Sequence, residues 1–292
     1  MSRPFRLMVA RRSAEALLKQ EGIATLPVDP FALAASRDIL VEGKPEANDG
    51  VSGMLLRHGN SFGIVYATNI PNEGFQRFSV SHELGHYFLD GHIDQLLKAG
   101  VHVSRAGFVT ADPFELEADH FAAGLLMPEM AFRKEMENHE PGLAAVDALA
   151  ACCITSRTAT AIRYAELSRA AIAVIVSTGG VIDYCFMSDA MKTLPKLSWL
   201  RKGTRLPIGT AAARLADEPD QVRAGTTAAD ETDVRDWLGG ATKASVSEES
   251  VGLGGYGKVL TVLSSDAIGR EEEDEDEAEE NELMERWTPR FR

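Results

Sequence analysis

The sequence predicts an α+β fold in which a small β-sheet packs on a helix that carries the motif His-Glu-x-x-His at residues 82–86. Three observations lead to this prediction. Two apolar runs, residues 51–57 and 62–67, flank a turn containing glycine and asparagine, which is typical of a β-hairpin. The segment around the motif has apolar residues at helical spacing. Beyond residue 168, short apolar runs and glycine-rich turns predict a separate C-terminal α/β region.

Two helices and one strand are predicted before the hairpin. Residues 8–21 carry apolar side chains at helical spacing and end at Gly22, as in an amphipathic helix with a glycine stop. A second helix is predicted at residues 31–36 and a strand at residues 39–42. The hairpin itself is expected to offer an exposed strand edge to which an extended substrate could add, and a purely structural hairpin is the alternative.

The motif helix is predicted to span residues 72–89, and residues 90–112 are predicted to be irregular. Asp112 as N-cap and Pro113 in the first turn indicate that another helix begins there. Two helices separated by a short turn then make a helix-turn-helix-like segment at about residues 140–168.

The net charge of −14 comes mainly from the C-terminal end of the chain. Residues 271–282 contain ten acidic residues and no basic one, so the rest of the chain carries only −4. Such a mildly acidic body disfavours direct DNA binding, which needs basic surface to replace counterions. The acidic run is expected to be disordered.

Cys152, Cys153 and Cys185 form neither an even framework nor a Cys-x-x-Cys motif. We expect reduced thiols, as in a cytoplasmic protein. The N-terminal segment lacks the apolar core of a secretion signal, and no apolar run approaches the roughly 18 residues that a membrane helix needs. A cytoplasmic location without membrane association is therefore expected.

These patterns predict three regions. A first domain covers residues 1–168 and includes the helix-turn-helix-like segment. A C-terminal domain of unknown role covers residues 169–266. The acidic tail covers residues 267–292.

The motif residues are suited to binding a metal ion. His82 and His86 are four residues apart, so a helix places both imidazoles on one face, where they can bind a single ion. Glu83 lies about a hundred degrees round the helix from His82 and is the expected general base. A catalytic zinc site also needs a third protein ligand and one open position.

The third ligand is expected from the helix that begins near Pro113. Metal-bound histidines usually donate their second ring nitrogen to a carboxylate. Glu115 and Asp119 are four residues apart, so one can bind metal while the other orients a histidine. Glu117 is the alternative ligand, although its own i+4 neighbour, Phe121, cannot orient a histidine. A solvated acidic helix face is the alternative to any metal role.

Two separated sequence blocks resemble the ImmA/IrrE family of zinc metallopeptidases. The first is the motif at residues 82–86, preceded by Arg77 and Phe78. The second runs from Glu115 to residues 127–128, Met-Pro. The resemblance covers roughly residues 8–168, and the family has glutamate at the position of Glu115.

The resemblance implies a zincin-like metallopeptidase domain of the gluzincin type. It further implies a zinc-dependent endopeptidase that hydrolyses a peptide bond in a partner protein, often a helix-turn-helix transcriptional repressor, in a regulatory or stress response. The alternative is a metal-bearing sensor or binding protein that controls a transcription regulator with little proteolysis. The His/His/Glu ligand set favours Zn²⁺, and Mn²⁺ binds similar ligands.

Two further points stay open at this level. A tetrahedral oxyanion needs an additional donor, and Tyr87, His92, His102 and His120 are all candidates. The helix-turn-helix-like segment could direct two arginines, Arg157 and Arg163, to DNA phosphates. The acidic body favours the alternative, a helical hairpin that packs beneath the metal site.

Overall fold

The computed structural model describes residues 3–45, 50–105 and 112–265. The chain divides into two compact units, residues 1–138 with 147–163, and residues 139–146 with 164–292. The predicted boundary at residue 168 lies close to the division at residues 163 and 164. The predicted tail at 267–292 lies outside the described residues.

The first unit alternates helices with short strands. Its elements are α1 (Arg3–Gln20), α2 (Pro30–Ala35), β1 (Leu40–Lys44), β2 (Val51–His58), β3 (Ser61–Ala67), α3 (Glu73–Phe88), α4 (His92–Leu96), β4 (Val101–Arg105), α5 (Pro113–Leu126) and α6 (Glu129–Met136). Helices α7 (Leu143–Cys153) and α8 (Arg157–Leu167) follow and extend into residues of the second unit. The mixed α+β class is confirmed.

The four strands form one sheet in the order β1-β3-β2-β4. Strands β2 and β3 are the predicted hairpin, β1 pairs with β3 in parallel, and β4 pairs with β2 antiparallel. Two predictions are therefore wrong. Residues 90–112 are not uniformly irregular, because they contain α4 and β4. The hairpin offers no free edge, since each of its strands is covered by a further strand.

Helix α3 carries the motif and is buried along most of its length. The Asn72 side chain accepts a hydrogen bond from the Phe75 N–H at 3.0 Å and caps the N-terminus. Val80 and Leu84 are fully buried and join the hydrophobic core shared with α1, α5 and the sheet. The sheet and α5 enclose the motif from two sides, so its polar side chains lie inside the unit.

Helices α3 and α5 approach each other closely at Gly85. A Cβ at that position would lie 3.1 Å from the Ala118 Cα and 3.2 Å from the Ala118 carbonyl oxygen. Only small residues at both positions permit this spacing. The contact places the first turn of α5 beside the two histidines of α3.

Helices α7 and α8 meet at a bend of 113°, within the range of helix-turn-helix motifs. Arg163 on α8 is 2% exposed, and it donates to the Met127 carbonyl at 3.2 Å and to Glu15 Oε1 at 3.4 Å. Arg157 is paired with Asp147, with an Nη2–Oδ2 distance of 3.0 Å. Both arginines are thus engaged by the protein itself.

Within the described residues, no single helix has the length and apolar character needed to cross a membrane; only the bent pair α7 and α8, taken together, meets that criterion of length and composition.

The second unit contains a five-stranded antiparallel sheet in the order β6-β5-β9-β8-β7. Its elements are β5 (Ala171–Thr178), β6 (Val181–Met187), α9 (Asp189–Lys192), α10 (Ala211–Ala216), α11 (Pro219–Ala224), β7 (Thr227–Asp233), α12 (Val234–Leu238), β8 (Ser245–Gly252) and β9 (Lys258–Ser265). The predicted strands correspond to β5, β6 and β9. Buried Glu248 on β8 accepts from the Ala212 N–H at 2.7 Å and from Trp237 Nε1 at 3.3 Å.

Substitution of Gly74 on α3 is expected to destabilise the first unit. A Cβ there would lie 2.6 Å from the Ser156 N and 2.6 Å from the Thr155 carbonyl carbon, both backbone atoms of the α7–α8 turn. We predict that Gly74→Ala lowers the free energy of unfolding by about 1–3 kcal/mol, the usual cost of overpacking. Urea denaturation measures the change.

Gly63→Ala is the control, because a Cβ at Gly63 in β3 would lie 3.6 Å from the Leu40 carbonyl, an ordinary contact. Its effect is expected to stay within about 1 kcal/mol. Equal effects of the two substitutions would contradict the close contact at Gly74.

Candidate metal centre

The structure brings together the three residues that the sequence predicts as metal ligands. His82 and His86 extend from α3 and Glu115 from the first turn of α5, and one ligand atom of each lies within 4.8 Å of the others. The two Nε2 atoms are 3.0 Å apart. The Glu115 carboxylate oxygens lie 3.4 Å from His82 Nε2 and 3.3 Å from His86 Nε2. Two imidazoles and a carboxylate are a donor set that zinc accepts.

The pKa values of the three side chains are shifted in different directions by burial and by their hydrogen bonds. Burial alone would raise the pKa of Glu115, but hydrogen bonds with His102, His82 and His86 hold it well below its usual range. Burial lowers the pKa of His86 to about 3. At His82 burial is outweighed by hydrogen bonds with Asp119 and Glu115, so the pKa rises to about 10. Glu115 is thus held as a carboxylate and His86 as a neutral imidazole, the protonation states in which both side chains can bind a metal ion.

The Glu83 carboxylate is buried beside the ligands and faces the backbone of β2. A Cβ on Gly53 would lie 2.5 Å from Glu83 Oε1, so only glycine lets the strand pass so close. Among the described residues, neither carboxylate oxygen of Glu83 has a hydrogen-bond partner. Burial raises the pKa of Glu83 to about 7, and the neighbouring His82 and Ser104 offset part of this rise.

Each histidine of the cluster has a partner for its second ring nitrogen. Asp119 Oδ1 lies 2.9 Å from His82 Nδ1, the position predicted for it. The partner of His86 is another histidine: His92 Nδ1 lies 3.0 Å from His86 Nδ1. Glu117 lies beyond this second histidine, with its Oε2 3.4 Å from His92 Nε2. Glu117 is therefore placed away from the three-residue cluster.

Of the four candidate oxyanion donors, His102 is the one that contacts both Glu115 and His86. Its Nε2 lies 2.8 Å from Glu115 Oε1, and its ring centroid lies 4.6 Å from that of His86. Tyr87 instead packs edge-to-face on Phe62, with centroids 5.0 Å apart. His120 contacts Arg11, and His92 lies behind His86.

The roles of His92 and His102 are not evident from sequence spacing. Both lie in the segment predicted to be irregular, His92 at the start of α4 and His102 on β4. The alternation in Val101–Arg105, where histidine and serine alternate with two valines, is the available signal of a strand with one polar face.

A sequence family and a solved structure are similar to this chain. Residues 46–163 match the sequence model of the peptidase M78 family, described as an IrrE N-terminal-like domain. Among solved structures, a Mycobacterium tuberculosis transcriptional regulator has a similar fold, with a TM-score of 0.56 and 14% sequence identity, over 88% of this chain and 76% of the regulator. At that identity the likeness concerns the fold alone. No curated protein matches the sequence.

Metal analysis of two glutamate variants separates the candidate third ligands. At a free zinc concentration that saturates the unaltered protein, Glu115→Ala is expected to lose most bound zinc, because one of three ligands is removed. Glu117→Ala is expected to stay largely loaded. The zinc content per protein molecule, measured by atomic emission after gel filtration, distinguishes the two assignments. Loss of zinc from Glu117→Ala with retention in Glu115→Ala would reverse the assignment.

Proposed function

Because residues 46–163 belong to the family of IrrE N-terminal-like domains, as the sequence resemblance indicated, we propose that this protein is a metal-dependent endopeptidase that hydrolyses a peptide bond in a partner protein. The observation that carries the proposal is the position of Glu83. A buried carboxylate without a hydrogen-bond partner among the described residues lies next to a two-histidine, one-glutamate cluster. A purely structural carboxylate in such a place would be costly.

His82, His86 and Glu115 would hold the ion, with Zn²⁺ favoured and Mn²⁺ possible by ligand type. A bound divalent ion supplies Lewis acidity, which lowers the pKa of water and polarises a carbonyl group. Asp119 keeps His82 in the tautomer whose Nε2 lone pair faces the cluster.

Glu83 moves the proton in this mechanism. Its carboxylate accepts a proton from the attacking water and delivers it to the leaving nitrogen of the scissile bond. Burial suits it to both steps, because a pKa raised to about 7 makes the acid and the base accessible near neutral pH. Gly53 keeps space for the carboxylate.

His102 is the proposed oxyanion donor. It reaches the cluster from the sheet, opposite the helices that supply the ligands, and its side chain is 16% exposed. A donor on this side can meet the oxyanion that forms on the carbonyl carbon under attack. The geometry favours it over Tyr87 and His120, which contact other parts of the unit.

Strand β4 is the proposed docking edge for the substrate backbone. Among the described strands, β4 pairs only with β2. The Arg57 N–H donates to the Gly100 carbonyl at 2.8 Å, so antiparallel alternation points the N–H and C=O groups of Val101 and Val103 away from β2. The side chains of Val101 and Val103 are 46% and 43% exposed. An extended peptide added there would pass beside His102.

The proposed partner is a helix-turn-helix transcriptional repressor, and the basis for this part is the family resemblance. The protein itself is not expected to read DNA through α8. Arg163 is buried against Met127 and Glu15, and Arg157 is paired with Asp147, so the two arginines that could have reached phosphate are committed to internal contacts.

Replacement of Glu83 tests the chemistry. Glu83→Gln is expected to retain bound zinc and to lower cleavage at least a hundredfold, since general acid–base catalysis contributes about 10²–10⁴. Cells that express the protein or Glu83→Gln at equal levels are compared by mass spectrometry of protein N-termini. New N-termini in a regulator protein should occur only with the unaltered enzyme. Identical sets in both would favour a sensor without proteolysis.

Replacement of Val103 tests the docking edge. Proline is tolerated on an edge strand where its missing N–H would face outward. Val103→Pro is therefore expected to fold and to bind zinc, but to lose one hydrogen bond to the substrate. We predict a fall of about tenfold in kcat/KM on the identified regulator, equivalent to about 1.4 kcal/mol.

Val103→Ala keeps the N–H and trims the side chain, so it is the matched control and should cleave better than the proline variant. Equal rates for the alanine and proline variants would place substrate docking elsewhere.

A further inference from the structure

The two histidines of the proposed metal centre are supported differently. His82 has a carboxylate, Asp119, directly at its Nδ1. His86 has an imidazole at the same position, and the carboxylate comes one residue further out. His86 Nδ1 lies 3.0 Å from His92 Nδ1, and His92 Nε2 lies 3.4 Å from Glu117 Oε2. We call these three residues the supporting chain.

The geometry allows one arrangement of hydrogens in the supporting chain when a metal is bound. His86 Nε2 faces His82 and Glu115, so its lone pair must serve the metal and its hydrogen is on Nδ1. That hydrogen can only be donated to a lone pair on His92 Nδ1. The hydrogen of neutral His92 is then on Nε2, from which it is donated to Glu117 Oε2. The Glu117 carboxylate accepts this hydrogen and so stabilises both tautomers.

His92 is held rigidly enough to orient its neighbour. Its side chain has no exposed surface, and its ring meets Phe114 edge-to-face with centroids 4.9 Å apart. Gly91 precedes it with a φ of 80°, which turns the chain from α3 back towards the cluster. On the far side, Arg6 Nη2 lies 2.5 Å from Glu117 Oε1. Helices α1, α4 and α5 thus all contribute to the position of one ligand on α3.

We propose that His92 and Glu117 are positioning residues of the metal centre, which set the tautomer and ring orientation of His86 without touching the ion. This inference rests on the proposed metal site. It also assigns Glu117 a role different from that of an alternative ligand. Hydrogen-bonded partners of this kind typically contribute about 10–100-fold to metal affinity.

The test measures zinc affinity in full-length protein by competition with a chromophoric chelator. Glu117→Ala is expected to weaken zinc binding about tenfold, and His92→Phe by about 10–100-fold. In the double variant, Glu117→Ala should cost nothing beyond His92→Phe, because the link through His92 is already broken. When Glu117→Ala is combined with Asp119→Ala, which acts on the other histidine, the fold losses in zinc affinity of the two variants should multiply.

Cobalt absorption spectra provide a readout that does not depend on turnover. A change in the visible bands of the Co²⁺-loaded protein is expected for His92→Phe, because His86 can rotate. His92→Gln, whose amide oxygen can still accept from His86, should restore affinity and spectrum in part. His120→Gln, on the same helix as Glu117 but paired with Arg11, is the control and should leave zinc affinity unchanged.

Three results would overturn the proposal. One is zinc affinity within twofold of the unaltered protein for Glu117→Ala. Another is a loss for Glu117→Ala as large as for Glu115→Ala, which would make Glu117 a ligand. The third is a double variant in which the fold losses in zinc affinity of His92→Phe and Glu117→Ala multiply in full. If His92→Phe does not fold, His92→Leu, which also has no hydrogen-bonding group, replaces it in the same comparison.

Failure of the underlying metal site is seen separately, as unchanged zinc affinity in His86→Ala and Glu115→Ala. Failure of the peptidase proposal is seen in cleavage by Glu83→Gln, which leaves the affinity measurements intact.

Discussion

The contact between Gly85 on α3 and Ala118 on α5 is the constraint on which the first unit depends. With a Cβ on residue 85 only 3.1 Å from the Ala118 Cα, no larger pair would let the helices lie so near. That nearness brings the Glu115 carboxylate to within 3.4 Å of both Nε2 atoms. The hydrophobic residues around it, Val80, Leu84 and Phe121, maintain the spacing by packing rather than by polar bonds.

The close approach of these helices also buries polar and charged side chains, which is electrostatically unfavourable. Glu83, His86 and His92 are fully buried, and charged or polar groups in such surroundings are unfavourable without partners. Each imidazole has a hydrogen-bond partner, whereas the Glu83 oxygens have none among the residues described. A buried carboxylate without a hydrogen-bond partner among the described residues thus lies at the point where the proposed chemistry takes place, a pattern typical of functional sites.

Sequence reasoning was most successful where the relevant contacts are local. The i+4 spacing of His82 and His86 and the cap-and-proline start at Asp112 depend on a single turn of helix, and the structure contains both helices. The position of β4 depended on pairing with β2 across more than forty residues, which a five-residue strand does not reveal. Glu117 has its histidine partner on α4, which the spacing of residues along α5 does not reveal.

The C-terminal unit shows the same limit. Strands β5 and β9 are almost wholly buried and were predicted from their continuous apolar runs, while the more polar β7 and β8 were not. Glu248 explains part of the difficulty at β8. Its carboxylate is buried because a backbone N–H and Trp237 satisfy it, and a sequence pattern gives no indication of such partners.

The bond between Arg163 and Glu15 has a consequence for the order of folding. It joins residues 148 positions apart, the last helix of the unit to the first. Glu15 also accepts from the Glu129 N–H at 3.1 Å, so one carboxylate fastens three separate segments. During synthesis both ligand-bearing helices, α3 and α5, leave the ribosome well before Arg163. The contact between the first and last helices of the unit therefore cannot form until more than half of the chain has been made, and contacts between residues so far apart in sequence are characteristic of slow folding.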